Sequence, residues 1–400
     1  MKKTEINNTI WFIGSKSISK IGDIMFDFAN NTFLAGISPH SLSLVGIYQS
    51  MESIIGILFN LFGGVIADRF KRKKNIILTN FLSGLACIAL SFISQEKWLI
   101  YAIVLTNMIL AFLGSFASPT YKAFTKEIVK KDSIAQLNSF LETSSTITKV
   151  FVPLIAIFLY QQLGVRGVLI LDGVSFWLAA LFIFYIKPVN EEIIAKDRVT
   201  VSIILNDLVM GFKYILSHQK IFLFIVLSAL VNFFLSAYNL LLPYSNQMFP
   251  NLPDDGLYGT FLTAEAIGGF LGAILSGILN KELSNMKLMV FIGLSGLCLT
   301  TAPFLYFLFH HPIALALSPA LFSLFLAIFN IQFFSIVQRD VDNDFLGRVF
   351  GIIFTVAILF MPIGTGVFSL LLSPTFTYNL FFVGLIVVIL ALVFARLLKD

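Results

Sequence analysis

The chain has 400 residues, of which 58% are apolar and only 12% are charged. Soluble domains average roughly 45–50% apolar and about 25% charged residues, so this composition excludes a set of soluble domains. A membrane span needs about 20 apolar residues, so twelve spans would use about 240 residues and leave about 160 for connections. We therefore predict one all-α membrane protein without a large soluble appendage.

Residue types that carry enzyme chemistry are scarce. Cys87 and Cys298 both fall inside apolar runs, which excludes a disulfide framework and a cysteine-based metal site. The four histidines form no H-E-x-x-H pair, and no G-x-x-x-x-G-K-[ST] phosphate loop occurs. The sequence therefore predicts no catalytic residues, no bound metal and no cofactor.

Apolar segments of spanning length occur in two groups of six. The first group lies near 11–37, 42–67, 75–94, 98–120, 138–161 and 165–187. The second group lies near 220–242, 256–279, 288–309, 312–337, 348–372 and 376–397. A polar stretch separates them, and its amphipathic part at 200–217 is expected to lie on the inner membrane surface. We predict an N-terminal six-helix bundle (1–187), a cytoplasmic linker (188–219) and a C-terminal six-helix bundle (220–400).

The distribution of basic residues predicts the orientation. With the N-terminus in the cytoplasm, 22 of the 27 lysines and arginines fall in seven inside segments, and only Lys97 and Arg166 fall in outside loops. Cytoplasmic loops carry such an excess, so both termini are predicted to be cytoplasmic, in a multi-pass protein of the cell membrane. The net charge of +5 is thus a signal of topology, and nucleic acid is not an expected partner.

The two halves repeat weakly at an offset of about 210 residues, a feature of many secondary transporters. Pro153 corresponds to Pro362, and Cys87 corresponds to Cys298. Together with the six-plus-six hydropathy pattern, these matches favour two related halves.

The connection between the second and third spans holds the most specific local motif: Gly64, Asp68, Arg69, Arg72 and Lys73. A glycine lets two helices approach, and a carboxylate can meet the N-terminus of a neighbouring helix. The arginines can bind carboxylates through two hydrogen bonds. A basic loop that only sets topology is the alternative interpretation.

This segment resembles the G-x-x-x-D-R-x-G-R-K loop of the major facilitator superfamily, with Lys71 in place of the usual glycine. The resemblance covers most of the chain. It implies twelve transmembrane helices in two six-helix bundles, transport by alternating access with the substrate between the halves, and a loop that latches the outward-facing state.

Softer patterns, Gly22-Asp23 and Gln338 with Gly347-Arg348-Val349, are similar to the branch of macrolide-efflux and enterobactin-exporter proteins. The resemblance implies proton- or sodium-coupled efflux of amphipathic small molecules such as drugs or macrolides, by a monomer in the lipid bilayer. Two drug-antiporter patterns are missing, since Leu110 stands where an arginine is usual and only Pro153 remains of a G-P-x-x-G-G motif. Export of a siderophore or metabolite, import, and a non-transporting receptor or lipid-handling protein remain alternatives.

The first span carries a polar stripe. Six residues fall within an arc of about 100° on a helical wheel: Lys16, Lys20, Asp23, Asp27, Asn30 and Asn31. A charge at the bilayer centre costs about 2.5–3.5 kcal/mol on insertion scales, so the stripe must face other helices or a water-filled cavity. Internal ion pairing is the alternative to cavity lining.

Other charges also fall within predicted spans. Glu52, Lys149 and Glu265 lie nearest the midplane, whereas Glu142 and Asp172 lie closer to the two surfaces. Because burial and nearby cations shift carboxyl pKa values in opposite directions, a midplane carboxylate that changes partner can load and release a proton. The predicted coupling residues are Asp23, Asp27, Glu52 and Glu265, and the predicted cavity or counter-ion residues are Lys16, Lys20, Asn30, Asn31 and Lys149.

Overall fold

The computed structural model describes the backbone of residues 3–38, 41–69, 71–189, 201–252, 256–279 and 284–398. Side chains are described in these ranges except at 60–69, 135, 201–208, 343, 344, 346, 347, 354, 357 and 358. All regular elements of the described residues are helical. This agrees with a chain whose backbone polar groups must be satisfied within a bilayer.

Fourteen α-helices follow one another in the described residues. The first half forms α1 (Lys3–Ile37), α2 (Leu42–Arg69), α3 (Arg72–Ser91), α4 (Glu96–Ile128) and α5 (Ile134–Tyr185). The middle forms α6 (Val201–Ser217), α7 (Gln219–Leu241), α8 (Ser245–Met248) and α9 (Leu257–Ile278). The last part forms α10 (Asn285–Thr300), α11 (Ala302–Phe309), α12 (Pro312–Asp340), α13 (Asn343–Leu371) and α14 (Asn379–Leu397).

Two helices divide differently from the predicted spans. The 52 residues of α5 would reach about 78 Å as one straight helix, far beyond the thickness of a bilayer. Gly164 breaks α5 with a φ of 63°, a left-handed conformation that glycine adopts without strain, at the point where two spans were predicted to meet. The predicted span at 288–309 is divided at Thr301 into α10 and α11, and Pro303 stands at the start of α11.

Nine helices of the described residues are long and apolar enough to cross a membrane, and one of them contains α5 with its two predicted spans. α1 is not one of the nine, because its stripe places Lys16, Lys20, Asp23 and Asp27 within a single helix. The all-helical membrane fold is therefore confirmed, whereas the count of twelve spans stays a prediction.

The chain divides into two compact units. The first comprises Met1–Leu34 and Met51–Arg198. Its core joins α1, α3, α4 and α5 through the buried side chains of Phe12, Ile76, Tyr121, Phe124, Ile128, Val129, Leu137, Ile183 and Ile186. This packing sets the charged face of α1 beside α4 and α5.

The second unit comprises Ala35–Ser50 and Val199–Asp400, so the end of α1 and the start of α2 belong to it. Within this unit the Ser41 and Tyr244 hydroxyls are 2.8 Å apart. α9 and α12 pack so closely that a Cβ added at Gly268 would lie 1.9 Å from the carbonyl oxygen of Ala320. Small residues at such crossings let membrane helices pack backbone against backbone.

The predicted amphipathic segment forms α6. Its Tyr214 hydroxyl donates to Asp342 Oδ2 (3.2 Å) and accepts from the Asp342 backbone N–H (3.1 Å). The Tyr214 ring also stacks on Phe345, with 4.4 Å between the ring centres. The linker helix is thus fixed to the connection between α12 and α13, within the second unit.

Candidate functional site

The first unit contains a cavity of about 630 Å³ between α1, α4 and α5. Four lysines contribute to its lining, so we call it the lysine cavity. Its walls consist of Phe12, Lys16, Ser17, Lys20, Tyr121, Lys122, Thr125, Lys126, Ile134, Asn138, Leu141, Glu142, Ser144, Ser145 and Thr148. Ligand pockets of about 300–1,000 Å³ hold drug-sized molecules, so the cavity is large enough for one.

Lysine spacing explains why two helices contribute two lysines each. Lys16 and Lys20 are four residues apart on α1, and Lys122 and Lys126 are four residues apart on α4. Residues at this spacing lie on the same helix face, so each pair points into the cavity together.

Tyr121 fixes the wall of the lysine cavity. Its hydroxyl lies 3.0 Å from Ser15 Oγ on α1 and accepts a hydrogen bond of 3.0 Å from Asn80 Nδ2 on α3. The Lys16 ammonium lies 4.3 Å from the centre of the Tyr121 ring, within the range of a cation–π interaction. Tyr121 therefore joins three helices and holds one of the lysines.

Asp23 lies within electrostatic range of two lysines of the α1 stripe. It is partly buried and interacts with Lys16 and Lys20 on the same helix. Glu52 on α2 interacts with both Asp23 and Lys20. The structure thus brings together two predicted cavity residues, Lys16 and Lys20, with two predicted coupling residues, Asp23 and Glu52.

The other members of the stripe lie towards the end of α1. Asn31 is buried and donates to the backbone carbonyl of Asp27 (2.8 Å). Asn30 is fully buried, and neither of its amide atoms has a hydrogen-bond partner among the described residues. Neither asparagine lines the lysine cavity, whose described walls hold only the first part of the stripe.

Two predicted residues lie elsewhere. Glu265 belongs to the second unit, where it accepts a short hydrogen bond from the buried hydroxyl of Tyr238 on α7. Lys149 is exposed on α5 and does not contribute to the described lining of the lysine cavity.

Asp172 on α5, which is predicted to lie closer to one membrane surface, has a side chain that is completely buried within the first unit. The Cys87 thiol lies 3.2 Å from Asp172 Oδ2, and Ser175 Oγ lies 3.4 Å from Oδ1. A Cβ at Gly22 would lie 2.2 Å from Asp172 Oδ1, so only glycine lets α1 approach this carboxyl group. Asp172 therefore lies against α1 at Gly22, within electrostatic range of Asp23.

The sequence around Asp172 contains a local signal for close helix packing. Gly84 on α3 and Gly173 on α5 face each other, and a Cβ at Gly84 would lie 2.7 Å from the Gly173 carbonyl oxygen. Small residues next to a charged residue in a span indicate close helix packing. Gly173 beside Asp172 and Gly22 beside Asp23 indicate that each carboxyl group lies at a close helix crossing, but they do not identify the two groups as neighbours.

The described side chains of the motif after α2, those of Arg72 and Lys73, hold the start of α3 against other helices. Arg72 Nη1 lies 2.7 Å from Glu127 Oε1 at the end of α4, and both side chains are buried. Lys73 Nζ donates to the carbonyl oxygens of Phe184 (2.8 Å) and Ile186 (2.7 Å). These contacts tie the start of α3 to the ends of α4 and α5. The side chains of the remaining motif residues, Gly64, Asp68 and Arg69, lie outside the described residues.

Comparisons with known proteins agree with this architecture. A family model described as Major Facilitator Superfamily matches residues 18–365. Macrolide efflux protein A of Streptococcus pyogenes is 21% identical, with 96% of this chain and 94% of that protein covered. The enterobactin exporter EntS of Escherichia coli is 24% identical, over 79% of this chain and 74% of that protein.

A crystal structure of a bacterial homologue of the iron transporter ferroportin has a TM-score of 0.76 at 18% identity, and 98% of each chain is covered. At this identity the likeness concerns the fold alone. The family model spans most of the chain and confirms the superfamily that the loop motif predicts. The chain belongs to the Major Facilitator Superfamily and is a multi-pass membrane transporter, not an enzyme.

Proposed function

We propose that this protein is a secondary active transporter that exports amphipathic small molecules from the cell by alternating access. In this proposal both termini lie in the cytoplasm, and protons or sodium ions that enter the cell drive export. Efflux is favoured over import because relatives that cover 96% and 79% of this chain are named as a macrolide efflux protein and an enterobactin exporter.

The observation that carries the proposal is the position of Asp23. This carboxyl group lies on a predicted span, beside the lysine cavity, and interacts with two lysines of that cavity. Placing a charge in a span costs about 2.5–3.5 kcal/mol on insertion scales, so such groups usually have a function. Protonation of Asp23 would remove the negative charge facing Lys16 and Lys20 and would therefore change the electrostatics of the cavity.

Asp23 is thus the proposed proton site. Glu52 is the next candidate because it interacts with Asp23, and Asp27 lies one helical turn further along α1. Glu265 is a candidate in the second unit, where the Tyr238 hydroxyl is its hydrogen-bond donor.

The motif after α2 is proposed to act as a cytoplasmic latch. Arg72 and Lys73 hold one side of it to α4 and to the end of α5. The anchored loop then offers Asp68 and Arg69 for contacts that form in only one transport state. A state difference of a few kcal/mol is sufficient to trap a transporter in one conformation.

The test is transport by inverted membrane vesicles with an acidic lumen, in which protons leave towards the cytoplasmic face. A panel containing a macrolide, a catecholate siderophore and amphipathic dyes is supplied outside. We expect at least one compound to accumulate in the lumen and to stop accumulating when a protonophore collapses the gradient. Uptake that follows a sodium gradient would assign the coupling to sodium, and no gradient-driven uptake of any compound would favour a receptor or lipid-handling protein.

A further inference from the structure

The lysine cavity carries more positive charge than the proposed coupling mechanism uses. Lys16 and Lys20 extend from α1, Lys122 and Lys126 extend from α4, and Glu142 is the only acidic residue in its described lining. The formal excess is three positive charges.

These lysines are close enough to affect one another. Lys16 experiences repulsion from Lys122 on α4 and from Lys20 on its own helix. Asp23 attracts Lys16 and Lys20, and Glu52 attracts Lys20. Counting these two flanking carboxylates with the described lining lowers the formal excess from three positive charges to one. Like charges that converge on one cavity raise the energy of the empty site and lower that of a site holding an anion. Lys16 and Lys20 are half-buried, whereas the two lysines of α4 are exposed, so solvent screens the α4 lysines more strongly.

The rule that places basic residues in cytoplasmic loops explains only part of this set. Lys122 and Lys126 lie near the end of α4, where such residues set topology. Lys16 and Lys20 lie well inside α1, which begins at Lys3. Because two helices direct lysines into one cavity, the arrangement indicates recognition of a ligand.

The other walls define the rest of the ligand. Phe12, Ile134 and Leu141 supply an apolar surface, and Asn138 and Ser145 add neutral polar groups. A molecule that fits this lining has an apolar body and an anionic end.

We infer that the lysine cavity selects amphipathic small molecules that carry a carboxylate, sulfonate or phosphate group. This inference rests on the proposed function, because it assigns a substrate class to the same cavity. It predicts that a neutral or cationic compound of equal size is a poor substrate, a macrolide with a basic amine included.

The test uses two dyes with the same xanthene skeleton and opposite charge, the anionic fluorescein and the cationic rhodamine 123, a methyl ester without a free carboxylate. Binding to the purified full-length protein in neutral detergent is measured by fluorescence anisotropy. We expect fluorescein to bind at least about tenfold more tightly than rhodamine 123, since a contact with a charged partner contributes a tenfold effect or more. Its affinity should fall as salt is added, because screening weakens charge interactions.

Single variants then locate the site. Lys122→Gln should weaken fluorescein binding about tenfold, and Lys122→Glu should weaken it further, with little effect on rhodamine 123. Lys130→Gln is the matched control, because Lys130 is exposed in the same region and does not line the described cavity. It removes the same charge and should leave fluorescein affinity unchanged.

The outcomes separate the inference from the proposed function. Anion-selective binding that Lys122→Gln weakens, in a protein that moves no compound in vesicles, would uphold the site and refute transport. Gradient-driven transport of rhodamine 123 with no preference for fluorescein would uphold transport and overturn the inference. Displacement of bound fluorescein by an equimolar amount of phosphatidylglycerol would assign the site to a lipid headgroup and would also overturn it.

Discussion

Removing one member of the buried ion pair between Arg72 and Glu127 should destabilise the protein strongly. The two side chains are 8% and 1% exposed, and their charged atoms are 2.7 Å apart. Arg72→Met removes the cation but keeps a long apolar side chain in its place. Glu127 is then left buried with less compensation for its charge.

The structure sets the expected magnitude. At 2.7 Å and an effective dielectric constant of about 20, two unit charges attract each other by about 6 kcal/mol. Desolvation of both groups offsets much of this attraction, so measured losses for breaking one side of a buried pair are about 3–5 kcal/mol. We expect a loss of that size in the free energy of unfolding for Arg72→Met.

A second ion pair serves as the matched control. Lys220 and Asp340 are also 2.7 Å apart, but their side chains are 39% and 24% exposed. Solvent screens such pairs, and their coupling is about 0–1 kcal/mol. The two pairs have the same distance and differ in burial.

The assay is a double-mutant cycle on unfolding in mixed detergent micelles. One cycle combines Arg72→Met with Glu127→Gln, and the other combines Lys220→Met with Asp340→Asn. We expect a coupling free energy above about 2 kcal/mol for the buried pair and below about 1 kcal/mol for the exposed pair. Equal coupling in both cycles would refute the argument that burial determines the strength of the Arg72 anchor.

Three further predictions concern the latch, the stripe and the orientation. Asp68→Asn should retain wild-type expression and unfolding behaviour but lose most transport, because it alters a contact of one state; wild-type flux would leave the loop with a topogenic role only. Asn30→Leu should raise the free energy of unfolding by about 1–3 kcal/mol, since it removes a buried amide that has no hydrogen-bond partner among the described residues, whereas Asn31→Leu, which breaks a hydrogen bond, should lower it. Destabilisation by Asn30→Leu would show that this amide is satisfied in the native membrane. Single cysteines in the 38–41 and 250–255 loops, in a background without native cysteines, should react with a membrane-impermeant thiol reagent on intact cells. Reaction only after permeabilisation would mean that the membrane orientation is the reverse of the predicted one.

Properties that depend on short stretches of sequence were predictable. Hydropathy located the helices and the break at Gly164, and helical spacing grouped Lys16, Lys20 and Asp23 on one face. The superfamily followed from a motif of contiguous residues. In each case the relevant residues are neighbours along the chain or on one helix.

Contacts between distant helices were not predictable in the same way. Asp172 is 149 positions from Asp23 in the sequence, and only the packing of α5 against Gly22 brings them together. Hydropathy likewise does not predict how α5 is rotated about its own axis. It therefore could not show that Thr148 lines the lysine cavity while the adjacent Lys149 does not. The burial of Arg72 against Glu127 also depends on packing between α3 and α4.

The most direct test of the central claim compares wild-type protein with Asp23→Asn in inverted vesicles whose lumen is more acidic by about two pH units. If one proton is exchanged for one substrate molecule and the membrane potential is held at zero, this gradient supports accumulation of up to about 100-fold, because each pH unit corresponds to a factor of ten. We expect wild-type protein to concentrate substrate, and we expect Asp132→Asn, in an exposed turn, to do so equally well. Asp23→Asn should bind and exchange substrate without concentrating it. Concentrative transport by Asp23→Asn at the wild-type level would contradict the claim that Asp23 carries the coupling proton.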